Sequence, residues 1–235
     1  MSSHAREASV VLVHGAWADG SSWSKVVAPL QQAGLNVICA PIPLTSLAQD
    51  AEVVNAVIER TAGPVMLVGH AYAGAVIGAV AHERVKSLVY VAALAPDTDE
   101  TVAEVFYRDA KHADAPELAP DARGFIWMPD IGFEKAFAQH ATTAEKAIAA
   151  AVQRPISVAC IQEPVAEPAW KTVPSWYLVA EGDRMINPVT QRFMAQRMGA
   201  TVHEYAVDHV PSLTAPKVVI EVVMEAARAT LGLDR

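Results

Sequence analysis

The stretch that decides the fold is VMLVGHAYAGAVIGAVA, which runs from Val65 to Ala81. It begins as an apolar run, passes through a turn of mostly small residues at 69–74, and continues with small apolar residues. A continuous apolar run is typical of a strand that is covered on both faces of a sheet. The stretch therefore predicts a buried parallel strand, a tight turn and a helix.

The rest of the chain repeats this alternation. Apolar runs predict strands over residues 9–14, 36–41, 64–69, 85–94, 175–180 and 201–207. The segments between them predict helices over residues 22–33, 46–61, 73–83, 189–198 and 217–230, with Ser46 as an N-cap and Gly34 just beyond a helix end. This order predicts an α/β fold with a mostly parallel, doubly wound sheet.

Residues 97–168 interrupt the alternation, because they contain no convincing core strand. A segment of this length between two sheet strands is too long for a plain loop. We expect it to form a small helical cap, with helices over residues 100–111, 133–140 and 144–152. The cap would be inserted in a core made of residues 1–96 and 169–235.

Composition and charge exclude several classes of protein. The chain has 235 residues, of which 52% are hydrophobic, and this is enough for one domain with a sizeable core. Its formal net charge of −8 argues against nucleic acid or an anionic membrane as a partner. No signal peptide or membrane-spanning run is apparent, so we expect a soluble, cytoplasmic protein. Cys39 and Cys160 are expected to be small buried side chains, and a homodimer is left open.

The turn at 69–74 has the form of a nucleophile elbow, except that its apex residue is Ala71. The strained backbone of such an apex requires small neighbours, and Gly69 and Ala73 meet that need. The helix after the turn directs its free N–H groups toward the apex, and the amide of Tyr72 would be one donor to an oxyanion. The alternative is an ordinary strand–turn–helix of any Rossmann-like sheet.

Three other residues would complete a catalytic site. His14 and Gly15 end the first strand, and Gly15 allows a tight turn that leaves the amide of Ala16 free as a second oxyanion donor. Asp183 and His209 each follow a late strand, so the chain order is apex, acid and base. This is the order that α/β-hydrolases use. The alternative acids are Asp97 and Asp99, which follow the strand predicted at 85–94.

The stretches VLVHGAW, YLVAEGDRMI and VDHVPSLTAP, together with the elbow, resemble α/β-hydrolases over nearly the whole chain. The resemblance is greatest to the branch that contains plant methylesterases, hydroxynitrile lyases and bacterial esterases. It implies Ala16 and Tyr72 as oxyanion donors, Asp183 as the acid and His209 as the base. Hydroxynitrile lyases of this branch typically have threonine at the position of Ala16 and lysine at that of Val210, so the residues here favour ester hydrolysis.

Three explanations compete for Ala71. The favoured one is a deliberate change of an active serine, which would leave a hydrolase of carboxylic esters or lactones without its acyl-enzyme nucleophile. The others are a natural binding protein without catalysis, and a cofactor-free dioxygenase that works with the His–Asp pair. No HxH, HExxH or CxxC pattern occurs, so we expect neither a metal nor another cofactor.

The substrate is expected to be a small apolar or aromatic ester or lactone. The residues expected to line its pocket are Trp17, Phe125, Trp127, Met128 and Phe137. His70 is expected to pack under the elbow, and His14 to satisfy backbone groups of its own loop.

Overall fold

The computed structural model describes residues 8–233 and contains eight strands. They are β1 (Ser9–Val13), β2 (Asn36–Ala40), β3 (Val65–His70), β4 (Val85–Val91), β5 (Phe125–Ile126), β6 (Ile156–Ser157), β7 (Ser175–Ala180) and β8 (Thr201–Tyr205). Six of them form one sheet in the order β2-β1-β3-β4-β7-β8, and every neighbouring pair in it is parallel. The predicted fold class is confirmed.

The α-helices of residues 8–233 lie on both faces of this sheet and within the segment 97–168. They are α1 (Ser24–Gln32), α2 (Leu47–Glu59), α3 (Ala73–Gly78), α4 (Val102–Phe106), α5 (Asp130–Gly132), α6 (Thr143–Val152), α7 (Val158–Gln162), α8 (Pro188–Arg197), α9 (Pro211–Thr214) and α10 (Pro216–Thr230). Residues of α1 and α10 share one buried cluster, while residues of α2, α3 and α8 share the other. Within β1, Val10 and Leu12 belong to the first cluster and Val11 and Val13 to the second, which is why the strand is apolar throughout.

Two core elements are shorter than predicted because the chain turns locally where each of them ends. Helix α3 stops at Gly78, and the His82 ring and carbonyl then accept the N–H groups of Arg84 and Val85 to start the next strand. Strand β4 stops at Val91 because the chain turns at Ala92, whose φ is 44°, toward the elbow.

Residues 97–168 pack over one end of the sheet as short elements. The helix predicted at 144–152 is confirmed as α6, whereas the other two helices predicted there need correction. The helix expected at 100–111 ends at Phe106, since Asp109 and the carbonyl of Ala110 bond to side chains of α8 and its N-cap. The helix expected at 133–140 is a five-residue π-helical turn over Phe133–Phe137. The segment is also not purely helical, because β5 and β6 form a short antiparallel pair.

The sheet topology determines where a ligand site forms. Strands β1 and β3 are neighbours, and the helices that follow them, α1 and α3, pack on opposite faces of the sheet. Ligands bind at the carboxyl ends of strands at such switch points. The register pairs Val13 with Gly69, which brings the loop after β1 beside the turn after β3. Strands β7 and β8 end at the same edge of the sheet.

Among the described residues, no helix has the length and apolar character needed to cross a bilayer. Residues 1–7, on which the expectation of no signal peptide partly rests, lie outside the described range.

Candidate active site

Ala71 occupies the apex of a strained turn between β3 and α3. Its φ is 50°, in the left-handed region that costs a residue with a side chain about 1–3 kcal/mol. Backbone hydrogen bonds hold it on both sides: its N–H donates to Val91 O at 3.3 Å, and its carbonyl accepts from Leu94 N at 2.9 Å and Gly74 N at 3.1 Å. The geometry of the elbow is therefore present although the apex side chain is a methyl group.

Two glycines allow the backbone to pack closely around this apex. A Cβ on Gly15 would lie 3.0 Å from the Cβ of Ala71 and 2.9 Å from the carbonyl oxygen of His70. A Cβ on Gly74 would lie 2.3 Å from the carbonyl oxygen of Leu94. Because neither position has room for a side chain, the loop after β1 lies directly against Ala71, and the start of α3 lies directly against the chain that follows β4.

The amides of Ala16 and Tyr72 are available to a ligand. Within residues 8–233, neither N–H has a protein acceptor, whereas the neighbouring N–H of Trp17 donates to Arg154 O at 3.0 Å. Ala16 and Tyr72 line the same cavity as Ala71 and His209. Two unused donors at a buried cavity are the arrangement that stabilises a developing negative charge on oxygen.

His209 and Asp183 form a buried pair at the ends of β8 and β7. The Nδ1 of His209 lies 2.8 Å from Asp183 Oδ2, and the exposed fractions of the two residues are 2% and 3%. Asp183 also accepts hydrogen bonds from the backbone N–H groups of Met185 and Ile186 and from Gln191 Nε2. With Nδ1–H assigned as the donor to the carboxylate, Nε2 of His209 is left as a proton acceptor.

The alternative acids do not contact His209. Asp97 forms an ion pair with Lys171 at 2.6 Å, and its side chain is 36% exposed. Asp99 lies in a turn with a φ of 66° and donates its N–H to Val165 O.

Two residues that support the pair were missed by sequence reasoning. Gln191 of α8 bonds to Asp183 and also accepts from Ala180 N, so it joins the acid to the end of β7. Asp208 is fully buried and accepts hydrogen bonds from His140 N and Thr214 Oγ1. Asp208 could have been predicted to support the site because it directly precedes His209. No local sequence pattern distinguishes Gln191.

His70 packs behind the base, as expected for its position under the elbow. Its Nε2 lies 2.7 Å from the carbonyl oxygen of His209, and the two rings are 4.8 Å apart between centroids. Burial, and secondly the neighbouring His209 ring, lower the pKa of His70 to about 3. His70 is therefore a neutral hydrogen-bond donor that positions the backbone of His209. His14 bonds through Nδ1 to Gly15 O at 2.9 Å, within its own loop.

This buried histidine predicts a dependence of stability on pH. Because its pKa is about 3 in the folded state and near 6.5 when unfolded, the unfolded chain binds the extra proton between those values, and stability falls as the pH falls below 6.5. At pH 4.5 we expect a loss of about 2–3 kcal/mol from this residue relative to pH 7. Urea unfolding at both pH values, on this protein and on the His70→Gln variant, measures it.

Glutamine is the matched control because its amide Nε2 is able to donate to His209 O but does not titrate. Carboxyl groups titrate in both proteins alike, so the difference between the two pH dependences isolates His70. Equal pH dependences would contradict the assignment.

A cavity lies beside the elbow, under residues 97–168, and about 590 Å³ of free space, part of it open to solvent, belongs to it. It is lined by Ala16, Trp17, Ala71, Tyr72, Leu94, Val102, Ala103, Phe106, Tyr107, Leu118, Ile126, Ile156, Ile161, Met185, Ile186 and His209. None of these side chains carries a permanent charge, and apart from His209 they are almost wholly apolar.

Of the five residues predicted to line the pocket, Trp17 alone belongs to this lining, and the other four are corrected. Ile126 replaces Phe125 and Trp127 because successive side chains of a strand point to opposite faces, and Ile126 pairs with Ile156 on the cavity side. Trp127 is 52% exposed.

The remaining two pack elsewhere. Met128 is buried against Gly132, where an added Cβ would lie 2.2 Å from its sulfur. Phe137 packs against the His209 ring at 5.4 Å and the Trp17 ring at 6.3 Å between centroids, and it faces a neighbouring groove.

Neither a metal cluster nor a disulfide is found among residues 8–233. No group of three or more potential ligands is close enough to hold a metal ion there. Cys160 is buried as expected, while Cys39 is only half-buried.

An elbow, two free amides and a buried His–Asp pair at the carboxyl edge of a parallel sheet are features of the α/β-hydrolases. The family model described as "Alpha/beta hydrolase family" matches residues 10–222, and the chain belongs to that family. No curated protein sequence matches it significantly.

Several solved structures share the fold. Polyneuridine aldehyde esterase has a TM-score of 0.81 at 17% identity, with 94% of this chain and 99% of that one covered. A pyrethroid hydrolase from Sphingobium faniae JZ-2 has a TM-score of 0.79 at 19% identity, with 94% and 98% covered. A methylesterase from Arabidopsis has a TM-score of 0.76 at 16% identity, with 94% and 99% covered. At such identities the likeness shows the fold.

Proposed function

We propose that this chain has the site of a carboxylic ester or lactone hydrolase that works through an acyl-enzyme, and that it lacks the nucleophile at position 71. The observation that carries the proposal is the hydrogen bond between His209 and Asp183, at a cavity shared with the strained apex and two unused amides. The esterases and the pyrethroid hydrolase that share the fold are consistent with it.

With serine at position 71, each group has a definite role. Nε2 of His209 takes the hydroxyl proton while the serine oxygen bonds to the ester carbonyl carbon, and the carbonyl oxygen becomes an oxyanion held by the amides of Ala16 and Tyr72. The carbon–oxygen bond to the alcohol then breaks, and the imidazolium returns the proton to the leaving alcohol. Water repeats both steps to release the acid, and Asp183 stabilises the imidazolium throughout.

With alanine at position 71 the first bond cannot form. The chain still retains the cavity and the strained turn, so we infer that it binds an ester without forming an acyl-enzyme. The strained φ of Ala71 costs stability, and a protein without a catalytic use for the turn has little reason to keep it. Its presence therefore fits a site that has lost the nucleophile and nothing else.

The cavity lining favours an uncharged, apolar substrate. No lysine or arginine is available there to pair with a carboxylate, and burial of an unpaired charge costs several kcal/mol. We therefore propose that the group that fills the cavity is a small aliphatic or aromatic one.

A matched pair of esters tests this specificity in the Ala71→Ser variant. We expect kcat/KM for 4-nitrophenyl butanoate to exceed that for 4-nitrophenyl hemisuccinate by about 100-fold or more, because the second ester places a carboxylate in the apolar cavity. Hydrolysis is measured by release of 4-nitrophenolate, with the rates in buffer subtracted. Equal kcat/KM values would contradict the proposed specificity.

Ala71 itself favours a second candidate, a non-catalytic protein that binds a small apolar molecule. The apolar cavity is present although position 71 has no nucleophile. Tight binding of an apolar ligand by this protein, with no turnover of any ester by Ala71→Ser, would select this function.

Oxygen uptake with an aromatic substrate, abolished in His209→Ala, would instead select the dioxygenase hypothesis.

A further inference from the structure

Asp50 is a buried carboxylate that the proposed reaction does not use. It lies in the first turn of α2 and has no solvent-exposed surface. Within the described part of the chain no lysine or arginine nitrogen lies within ion-pair distance of it, and burial raises its pKa. A buried carboxylate is costly unless its hydrogen bonds are satisfied, so its partners indicate what it does.

Those partners come from three separate parts of the molecule. Oδ1 accepts the N–H of Leu44, a residue held at a φ of 61° in the loop after β2. Oδ2 accepts the hydroxyl of Tyr72 at 2.7 Å, and the thiol of Cys160 in α7 lies 3.8 Å from the same oxygen. Asp50 thus joins the elbow to the loop after β2 and to the segment that covers the cavity.

Tyr72 connects this cluster to the reacting atoms. Its backbone N–H has no protein acceptor within residues 8–233, and its residue lines the cavity beside Ala71. The side chain is 2% exposed and is fixed at its far end by the bond to Asp50. A tyrosine has few rotatable bonds, so anchoring the hydroxyl restricts the orientation of the peptide group that carries the N–H.

We propose that Asp50 is a positioning residue, which anchors the hydroxyl of Tyr72 and thereby holds the Tyr72 backbone N–H toward the substrate carbonyl oxygen. The inference rests on the proposed function, because the N–H matters to catalysis only where an oxyanion forms. An oxyanion donor acts mainly in the transition state, so loss of its alignment lowers kcat more than it changes KM.

The test uses the Ala71→Ser background. We expect Tyr72→Phe and Asp50→Leu each to lower kcat for 4-nitrophenyl butanoate by about 10-fold, with KM within about twofold, since the donor is misaligned rather than removed. Asp50→Asn should recover most of the activity, because its Oδ1 can accept from Leu44 N and its Nδ2 can donate to the Tyr72 oxygen. Asp50→Leu combined with Tyr72→Phe should be no slower than Asp50→Leu alone, because Asp50→Leu already breaks the bond to the Tyr72 hydroxyl that Tyr72→Phe removes.

Tyr90→Phe is the matched control for removal of a buried hydroxyl. Tyr90 is fully buried, and its hydroxyl has no hydrogen-bond partner among residues 8–233. Its kcat should equal that of the background. Should Tyr72→Phe retain kcat within twofold, the positioning role is overturned. Because Phe differs from Tyr by one oxygen, this variant is informative even if Asp50→Leu does not fold.

A second measurement does not require activity. This measurement uses the protein with Ala71 and follows hydrogen exchange of the backbone amide of residue 72 by NMR. Relative to the unsubstituted protein, exchange there should be faster in Tyr72→Phe, less so in Asp50→Asn, and unchanged in Tyr90→Phe. If Ala71→Ser hydrolyses no ester, the proposed function fails, while the exchange rates still decide whether Asp50 orders this amide. Unchanged exchange at residue 72 would overturn the inference.

Discussion

The Ala71→Ser variant is expected to hydrolyse uncharged aryl esters about 10⁴-fold or more faster than this protein. Removal of the nucleophile from a serine triad costs about 10⁶-fold in kcat, and the residual activity over water comes from the oxyanion donors and binding. Here the apex already has a φ of 50°, and His209 is already bonded to Asp183, so a serine enters a site that needs no rearrangement. Burst kinetics with 4-nitrophenyl butanoate would measure both acyl-enzyme formation and turnover.

Ala33→Ser is the control for this experiment. It adds the same oxygen to an exposed alanine at the end of α1, outside the cavity, and should leave the rate unchanged. If Ala71→Ser is folded and is no faster than this protein on a panel of short acyl and aryl esters, the hydrolase proposal is wrong.

The second large effect is expected for Asp183→Asn in the Ala71→Ser background, with a loss of about 10⁴-fold in kcat. The carboxylate accepts the Nδ1 proton of His209 at 2.8 Å. An asparagine amide in that place is able to donate to Nδ1 instead, which would put the imidazole proton on Nε2 and leave no acceptor for the serine hydroxyl. KM should change little, because Asp183 does not line the cavity.

Asp97→Asn is the matched control, since Asp97 was the alternative acid and pairs with Lys171 near the surface. It should retain the full rate of the Ala71→Ser background. Circular dichroism and thermal unfolding are the checks that both asparagine variants fold. A loss with Asp97→Asn and none with Asp183→Asn would reverse the assignment of the acid.

The centre of the sheet was predictable because the strands there are covered on both faces. The apolar side chains of β1 and β3 are nearly all fully buried, so the strands stand out as continuous apolar runs in the sequence. Their carboxyl ends are then the natural places to search for chemistry. Ala71, Asp183 and His209 were identified in this way, and the structure places Asp183, rather than Asp97 or Asp99, against His209.

Elements in residues 97–168 were less predictable, because tertiary contacts end them. Helix α4 stops where α8 bonds to the residues beyond it. The two-residue strands β5 and β6 are too short to show an alternation in sequence, so the pairing of Ile126 with Ile156 was not foreseen. Phe125 and Trp127 were wrongly predicted to line the cavity because the strand pairing was not foreseen. Met128 and Phe137 were wrongly predicted to line it because they pack behind its wall.

The sequence by itself determined the parallel sheet, the order of apex, acid and base, and the small residues that let the chain turn at Ala71. These follow from local rules: burial of both strand faces, and the steric need for glycine or alanine at a strained turn. Only the tertiary structure decided that Ile126 and not its aromatic neighbours faces the cavity, and that Asp50, 22 residues before Tyr72, lies against its hydroxyl. Such contacts depend on how distant elements pack, and no spacing along the chain records them.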